Sequence, residues 1–385
     1  MDFKFTEQQE MLRKTIKDFV DRECPREKVR KWDNEEDVEA VEKVFEKFKG
    51  LGVNGILISE QYGGSGGNAI DFTIILEELA RACWGLACFY VEATIYGGAV
   101  IEECGNEAQK QFFLPKIARG DIIFSYGITE PDGGSDAAAA KTMAVQQGDD
   151  FAINGSKMFI TGANRTDYIV TLVRTDKSVP KHKGLTLFIV DPKSKGYSAK
   201  PLKKLASHLD HTCEVVFDNV VVPKENILGG PEALNKGWPL LLKTLELEHI
   251  QLAAVAAGGA QAIFDDALEY AKQREQFGQP IGKFQAISHM LAEMAVDLHL
   301  SKLITYHCAW MKSEGIPCYK ESCMAKLYTT ETATKMALRA MEIFGGYSMM
   351  MEYDIQRYLR DSFVGLIGGG TKQIQKNMIA RAIGL

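Results

Sequence analysis

Residues 238–277 read WPLLLKTLELEHIQLAAVAAGGAQAIFDDALEYAKQREQF, and this stretch decides the fold. Its apolar residues recur at helical spacing and cover more than one side of the predicted helix, whereas a surface helix carries a single apolar stripe. A helix of this kind is buried in a bundle or at a subunit interface. The segments 284–311 and 319–344 continue the pattern, so the sequence predicts a helical domain over residues 231–385.

The two blocks before this helical domain differ from each other. Residues 116–230 contain the short runs DYIVTLVRTD, GLTLFIV and EVVFDNVVV, which are rich in Val, Ile, Thr and Phe and are bounded by turn residues. Such runs predict antiparallel strands. Residues 1–115 show helical spacing again, interrupted by glycines. The predicted fold class is therefore α+β, with an α-helical domain over 1–115, a β-domain over 116–230 and an α-helical domain over 231–385.

The composition is that of an ordinary globular protein. The 385 residues are 46% hydrophobic and 25% charged, and the formal net charge is −6. This charge provides no basic surface for nucleic acid, and we expect no apolar run long enough to span a membrane. The amphipathic start MDFKFTEQQEMLRKTIKDF lacks the apolar core of a signal peptide. We therefore expect a cytoplasmic protein with no nucleic-acid or membrane partner.

The cysteines and histidines do not predict a metal site. None of the eight cysteines belongs to a CxxC pair, and we interpret them as reduced thiols, mostly in the core. The stretch from His208 through His211 to Cys213 comes nearest to a metal cluster. A zinc site needs ligands that converge from more than one segment, and the sequence offers no second cluster. We therefore expect no metal.

Three carboxylates stand in apolar helical surroundings. Glu246 and Glu248 are about 200° apart on a helix, so we expect one to face the interior and the other to face solvent or a subunit boundary. An interior carboxylate has a raised pKa, which suits a general base near neutral pH. The alternative is a buried carboxylate paired with Lys, Arg or His. Glu92, in CFYVEATIYGGAV, is the third, and it can also be read as a residue at a helix surface or helix end.

Five motifs resemble those of the acyl-CoA dehydrogenase family. They are YGITEPDGGSD (126–136), INGSKMFITGA (153–163), REQFGQPIGKFQ (274–285), MEIFGGY (341–347) and LRDSFVGLIGGGTKQIQ (359–375), and they occur in the family's order along the whole chain. The resemblance implies an N-terminal α-helical domain, a middle β-barrel-like domain and a C-terminal four-helix bundle. It also implies FAD as cofactor, an acyl-CoA or enoyl-CoA substrate, an electron transfer flavoprotein as partner, and a homotetramer.

The matched motifs imply a role for individual residues. The segment around Arg274 is expected to reach the FAD of a neighbouring subunit, Phe159 replaces an aromatic residue that is often Trp, and Glu342 stands where many members have Gln. The residues expected at the FAD are Tyr126, Ile128, Thr129, Ser135, Phe159, Thr161, Arg274, Gln276, Phe277, Glu342, Gly346, Thr371 and Gln373. The residues expected at the substrate are Glu92, Ser135, Leu245, Glu246, His249 and Gly369.

The three glycines Gly368–Gly370 depart from the commonest version of the final motif. In that version a glutamate, the catalytic base, stands where this chain has Gly369. A subset of the family, including isovaleryl-CoA dehydrogenase and crotonobetainyl-CoA reductase, carries the base on the long helix instead, and the matching residue here is Glu248. We therefore predict Glu248 as catalytic base, with Glu92 as the alternative. His249, where Arg is usual, is a second departure.

These departures leave the substrate open. Small residues in the glycine loop are expected to open space that would admit a branched or cyclic acyl group. An acidic Glu92 would suit a cationic acyl group, as in crotonobetainyl-CoA reductase, which runs in the reducing direction. Loss of the usual loop base also leaves room for a non-redox member of the family, such as an acyl-CoA desulfinase.

Overall fold

A computed structural model describes residues 4–385. The first domain is helical, and its helices are α1 (Glu7–Glu23), α2 (Arg26–Glu35), α3 (Val38–Lys49), α4 (Ala69–Ala82), α5 (Trp84–Val91), α6 (Val100–Cys104) and α7 (Glu107–Arg119). A π-helical segment, Glu92–Ala99, joins α5 to α6. The N-termini of α1, α4 and α7 are each closed by a capping box, in which Thr6, Asn68 and Asn106 accept from backbone N–H groups of the first turn.

The middle domain is a mixed seven-stranded sheet. Its strands are β1 (Phe124–Gly127), β2 (Met143–Gln147), β3 (Asp150–Thr161), β4 (Tyr168–Arg174), β5 (Leu185–Val190), β6 (Tyr197–Pro201) and β7 (Thr212–Pro223). The long strands β3 and β7 pair in antiparallel fashion, β2 and β6 extend this pair, and β5 pairs with β4. The predicted antiparallel strands are present, and the parallel pairing of β1 with β4 adds to them.

The last domain is a helical bundle built on one long helix. The helices are α8 (Gly237–Gln273), α9 (Gln285–Ser313), α10 (Tyr319–Phe344), α11 (Ile355–Ile367) and α12 (Lys372–Ala382), and a small hairpin of β8 (Glu275–Gln276) and β9 (Gln279–Pro280) joins α8 to α9. Helix α8 has 37 residues and packs against α4, α9 and α10. This explains why its sequence is apolar on more than one side.

The last helix of the first domain continues past residue 115, where the sequence placed the change from helices to strands. Helix α7 continues through Pro115 to Arg119, and the first strand begins at Phe124. The last turn of α7 is hydrophobic on its buried side, where Leu114 and Ile117 lie in the core. The helical pattern therefore ends closer to residue 119.

One apolar run is longer than expected. The helical stretch Trp84–Cys104 has the length and hydropathy needed to cross a membrane, contrary to the expectation that no run is long enough. However, 83% of its most apolar window is buried inside the protein. Neighbouring helices and the sheet surround this stretch, so its hydropathy reflects a position in the core.

Candidate active site

The candidate site centres on Glu248, in the middle of α8, and on the loop Gly368–Gly370 between α11 and α12. Glu248 is partly buried and points towards this loop. A Cβ atom built on Gly369 would lie 3.5 Å from Glu248 Oε1. Helix α8 therefore places a carboxylate next to the position where a side chain of residue 369 would start.

Leu252 fills part of the space that Gly369 leaves. It lies one turn after Glu248 on α8, and its Cδ1 would be 2.2 Å from a Cβ at position 369. The expectation that the glycine loop opens space is therefore wrong at this point. Gly369 has φ +59°, in the left-handed region that favours glycine, so both conformation and contact disfavour a side chain here.

Buried polar side chains of α10 and α12 form hydrogen bonds with the backbone of the glycine loop. The Lys326 ammonium, on α10, donates to the carbonyl oxygen of Gly370 at 2.6 Å. The side-chain amide of Gln375 donates to the carbonyl oxygen of Gly369 at 3.0 Å and lies 3.3 Å from His249 Nε2. His249 Nδ1 lies 3.2 Å from the hydroxyl of Ser322. His249 thus belongs to the support of the loop.

Burial sets the ionisation of these groups. It raises the pKa of Glu248 to about 7, an effect that the positive charge of Lys326 opposes. Burial lowers the pKa of Lys326 to about 8, and Glu248 opposes that change. Burial, followed by the charge of Lys326, lowers the pKa of His249 to about 3. At neutral pH His249 is therefore neutral, and Glu248 is divided between its two protonation states.

The end of β1 lies beside Glu248. Tyr126 stacks on Tyr96 of the π-helical segment with ring centroids 5.7 Å apart, and its buried hydroxyl faces the side chain of Thr244 on α8. Burial raises the pKa of both tyrosines, and the charge of Glu248 adds to the effect. Ile128 and Thr129 follow on the same strand end and are partly buried. Tyr96 and Tyr126 are thus the two aromatic groups close enough to Glu248 to respond to its charge.

A buried ion pair fixes the backbone after β1. The Lys157 ammonium donates to Glu130 Oε1 at 2.8 Å and to the carbonyl oxygen of Ile128 at 3.1 Å. The same Glu130 carboxylate accepts from the backbone N–H groups of Lys141 and Thr142. The segment from Ile128 to Glu130 is therefore held on the middle of β3.

A bulge in β3 presents Phe159 to the outside. The register of β3 with β7 shifts between Lys157 and Ile160, and Phe159 within this shift has φ +64°. Its side chain is 64% exposed. Two residues later, the carbonyl oxygen of Thr161 accepts from the hydroxyl of Ser125 at 2.7 Å, which ties the end of β3 to β1. The bulge thus places an aromatic ring and Thr161 at the same end of the sheet.

Glu92 lies in a different setting from Glu248. It is fully buried, and one nitrogen of the Arg165 guanidinium donates to Glu92 Oε1 at 2.6 Å and to Asp210 Oδ1 at 2.7 Å. The guanidinium also lies over the ring of Phe89, 3.5 Å from its centroid. Burial raises the pKa of Glu92, Arg165 opposes the rise, and Asp210 adds to it. Glu92 thus shares one cation with a second carboxylate.

The cluster of Glu92, Arg165 and Asp210 packs against the backbone that follows β3. A Cβ atom on Gly162, which has φ +66°, would lie 2.5 Å from Glu92 Oε1. The backbone N–H of Gly162 donates to the carbonyl oxygen of His211. The Glu92 carboxylate therefore packs against the backbone that follows Thr161.

The predicted residues near the α8–α9 hairpin line one surface cavity. This cavity has a volume of about 470 Å³ and contains Arg274, Gln276 and Gly346. Arg274 lies over the ring of Tyr347, 5.6 Å from its centroid. Phe277, at the hairpin tip, is 94% exposed, and Glu342 is exposed on the last turn of α10.

The remaining predicted residues lie on α8, on α12 and after β1. Thr371 caps α12 by accepting from the N–H of Ile374, and Gln373 is exposed on its first turn. Ser135 is exposed after β1, and Leu245 is partly buried on α8. Glu246 points away from Glu248, as helix geometry requires.

Glu246 faces other protein groups rather than open solvent. Its two carboxylate oxygens accept from the backbone N–H of Cys318 at 3.2 Å and from the ammonium of Lys312 at 3.3 Å. The two carboxylates thus face different ways, and Glu246 joins α8 to the α9–α10 connection.

Sequence reasoning missed Lys326, Gln375 and Arg165. Lys326 carried a weak signal, because its neighbours in the stretch Cys323–Leu327 are small or apolar. Arg165 carried none, since a charged residue after a glycine turn usually faces solvent. As for metals, residues 4–385 contain no group of three or more His, Cys, Asp or Glu side chains that could hold one.

Comparison with known proteins identifies the family. Residues 6–121, 125–220 and 235–384 match the acyl-CoA dehydrogenase N-terminal, middle and C-terminal domains. The chain is 37% identical to the probable acyl-CoA dehydrogenase YngJ of Bacillus subtilis over 100% of both chains. It is also 37% identical to the caffeyl-CoA reductase-Etf complex subunit CarC of Acetobacterium woodii over 98% of both chains.

A solved structure has the same fold. The butyryl-CoA dehydrogenase of Megasphaera elsdenii superposes with a TM-score of 0.94 at 34% identity, with 100% of each chain covered. Together with the three domain matches, this likeness extends over the helical domain, the sheet and the bundle. The chain belongs to the acyl-CoA dehydrogenase family of oxidoreductases that act on CH–CH groups.

Proposed function

We propose that this protein interconverts an acyl-CoA and the corresponding α,β-enoyl-CoA, with Glu248 as the catalytic base or acid. The observation that carries the proposal is the approach of Glu248 Oε1 to within 3.5 Å of the Cβ position of Gly369. In the commoner arrangement of the family, that loop position supplies the base. A carboxylate delivered from α8 meets the same requirement.

The chemistry at Glu248 is a proton transfer. In the oxidising direction, a carboxylate oxygen forms an O–H bond as the Cα–H bond of the thioester breaks, and the electron pair remains on Cα. A group with a pKa of about 7 is suited to this transfer near neutral pH, because it neither holds nor releases the proton too strongly. In the reducing direction, the protonated carboxyl returns the proton to Cα.

Members of this family bind FAD, and the residues of this chain fit that cofactor. When bound, FAD supplies the acceptor for the hydride equivalent that leaves Cβ. The exposed ring of Phe159, the buried Tyr126 near Glu248 and the end of β3 at Thr161 offer aromatic and polar groups for this cofactor. The residues that would hold FAD are Tyr126, Ile128, Thr129, Ser135, Phe159 and Thr161, together with Arg274, Gln276, Phe277, Glu342, Gly346, Thr371 and Gln373, some of them from a neighbouring subunit.

A cationic surface cavity near Ser135 suits the phosphates of coenzyme A. It has a volume of about 450 Å³, and its lining includes Lys141, Arg174, Lys177 and Lys181. Lys141 and Lys181 pair with Asp132 and Asp136 respectively, whereas Arg174 donates to backbone carbonyl oxygens and makes no ion pair within 4 Å among the described residues. Phosphate groups favour such clusters of Arg and Lys.

The proposal also covers the acyl group of the substrate, the electron partner, the oligomeric state and the cellular location. We infer a branched, cyclic or polar acyl group and an electron transfer flavoprotein as electron partner, and the relationship to the caffeyl-CoA reductase-Etf complex subunit CarC supports both. We also infer a homotetramer and a cytoplasmic location. Self-association is supported by exposed apolar side chains on two bundle helices, namely Val296, Leu300, Leu303, Met324 and Leu338. The relationship to CarC supports the reducing direction as strongly as the relationship to YngJ supports oxidation.

The test is an anaerobic titration of the FAD-loaded protein with straight, branched, cyclic and polar acyl-CoAs. We expect at least one of them to bleach the flavin absorbance, and the matching enoyl-CoA to restore the colour of the reduced protein. Glu248→Gln should bind the same thioester but bleach at least about a hundredfold more slowly, the scale for loss of a general base.

The matched control is Glu269→Gln, which changes an exposed glutamate on the same helix and should leave the bleaching rate unchanged. Turnover of a thioester without any change in flavin colour would refute the redox proposal in favour of non-redox chemistry. Bleaching at the normal rate by Glu248→Gln would refute the assignment of the base alone.

A further inference from the structure

Lys326 is an unusual group to find beneath the glycine loop. It is fully buried on α10, its ammonium donates to the carbonyl oxygen of Gly370 at 2.6 Å, and no carboxylate of residues 4–385 lies within ion-pair distance. A buried ammonium without a direct anionic partner costs several kcal/mol of desolvation free energy. Something other than local stability therefore accounts for the charge at this position.

The remaining charge near Lys326 belongs to Glu248. Both groups reach the glycine loop, Glu248 Oε1 at 3.5 Å from the Cβ position of Gly369 and the Lys326 ammonium at 2.6 Å from the carbonyl oxygen of Gly370. Across this loop each favours the ionised form of the other. No other positive charge influences Glu248 to a comparable degree.

The other titratable groups around Glu248 are neutral at neutral pH. His249, its neighbour on α8, has a pKa lowered to about 3 by burial and by Lys326. Cys323, on α10, has a pKa raised to about 12 by burial. Tyr96, in the π-helical segment, and Tyr126, in β1, have pKa values raised by burial. The site thus contains one carboxylate that titrates near neutral pH, Glu248, and one cation, Lys326.

The same ammonium also fixes the backbone opposite Glu248. Its bond to Gly370 and the bond from Gln375 to Gly369 hold two successive carbonyl oxygens of the glycine loop. Glycines have no side chains to anchor them, so these two bonds replace that anchorage. We propose that Lys326 is a positioning residue for the reaction, which holds the glycine loop at Gly370 and keeps a compensating positive charge beside Glu248.

This proposal rests on the proposed role of Glu248, and it predicts a specific change in the pH profile. Lys326→Met removes the charge with little change in length. The midpoint of the rate of flavin bleaching by the thioester should then move up by about one pH unit or more, because Glu248 loses the cation that favours its ionised form. Lys326→Arg keeps the charge and should keep the midpoint of the unchanged protein.

Lys326→Gln removes the charge and keeps a hydrogen-bond donor on a side chain one atom shorter, so it tests the charge with a polar replacement. It should show the same upward movement of the midpoint, and it provides the test if the Met variant does not accumulate as a FAD-loaded protein. In a Glu248→Gln background, Lys326→Gln should change the residual rate by less than about threefold, because the two residues act as one unit.

The outcomes are distinguishable. If Glu248→Gln bleaches normally, the proposed function of Glu248 fails, whatever Lys326 does. If Glu248→Gln is impaired but both uncharged Lys326 variants keep the original midpoint, only the role of Lys326 is overturned. A uniform loss of rate at every pH would show that Lys326 serves the structure of the loop alone.

Discussion

Glu248 and Glu92 are two buried glutamates that look alike in sequence and differ in surroundings. Each sits in an apolar helical stretch, and each lies against a glycine with positive φ at the edge of the candidate site, Gly369 and Gly162 respectively. Glu92 shares the Arg165 guanidinium with Asp210 at hydrogen-bond distance. Glu248 has only the more distant charge of Lys326.

The comparison teaches that a raised pKa does not by itself identify a base. Burial raises the pKa of both carboxylates. What separates them is exposure and pairing: Glu92 is fully buried with Oε1 paired to Arg165, whereas Glu248 is partly exposed. In Glu92 one oxygen already accepts a short charged hydrogen bond, whereas Glu248 makes no hydrogen bond or ion pair with any side chain of residues 4–385. Geometry therefore favours a structural role for Glu92 and a chemical role for Glu248.

The largest expected effect comes from removing the cation on the Glu92 side. Arg165→Met leaves two buried carboxylates without their shared partner, so we expect a loss of about 3–5 kcal/mol in the free energy of unfolding. Denaturant unfolding followed by flavin fluorescence measures it. The control Arg119→Met, which breaks an exposed pair with Asp121, should cost less than about 1 kcal/mol. Equal losses in the two variants would contradict a buried, shared cation.

The two glycines provide a second comparison. Gly162→Ala and Gly369→Ala both place a side chain in the left-handed region, at a cost of about 1–2 kcal/mol each. At position 162 the new Cβ meets a carboxylate held by Arg165, whereas at position 369 it meets the mobile end of Leu252. We therefore expect Gly162→Ala to be the less stable by at least about 1 kcal/mol in denaturant unfolding. The reverse order would show that Leu252 is the more rigid neighbour.

The pH dependence of the reaction gives a third test. Oxidation of an acyl-CoA requires ionised Glu248, so the bleaching rate should rise about tenfold per pH unit below a midpoint near 7 and level off above it. Reduction of an enoyl-CoA requires the protonated carboxyl, so its rate should fall above the same midpoint. Stopped-flow absorbance measures both rates. A flat oxidative profile through the neutral range would contradict a base with a raised pKa.

The smallest effect is expected for Glu92→Gln. The amide keeps the size of the side chain and can still accept from Arg165, so the bleaching rate should change by less than about tenfold, below the range for loss of a general base. The same anaerobic titration used for Glu248→Gln measures it. A hundredfold loss would reverse the comparison and make Glu92 the catalytic carboxylate.

The sequence predicted the order of domains and the helix that carries Glu248, because helical periodicity and strand composition are local properties. The motif that ends in Gly368–Gly370 pointed to an absent loop side chain, and the pattern of α8 pointed to the carboxylate that faces it. Lys326, Arg165 and the intrusion of Leu252 were not predictable in the same way. Each depends on contacts between segments far apart in the chain, which composition and spacing do not encode.

The position of Glu248 on α8 has a consequence for how the site behaves between turnovers. A carboxylate carried by a loop must be brought to rest before each proton transfer, and that ordering has an entropic cost. Here the carboxylate stands on a 37-residue helix clamped by α4, α9 and α10. The backbone that carries Glu248 is therefore ordered before the substrate binds. Heating should therefore disorder the glycine loop well before it disturbs the atom that takes the proton.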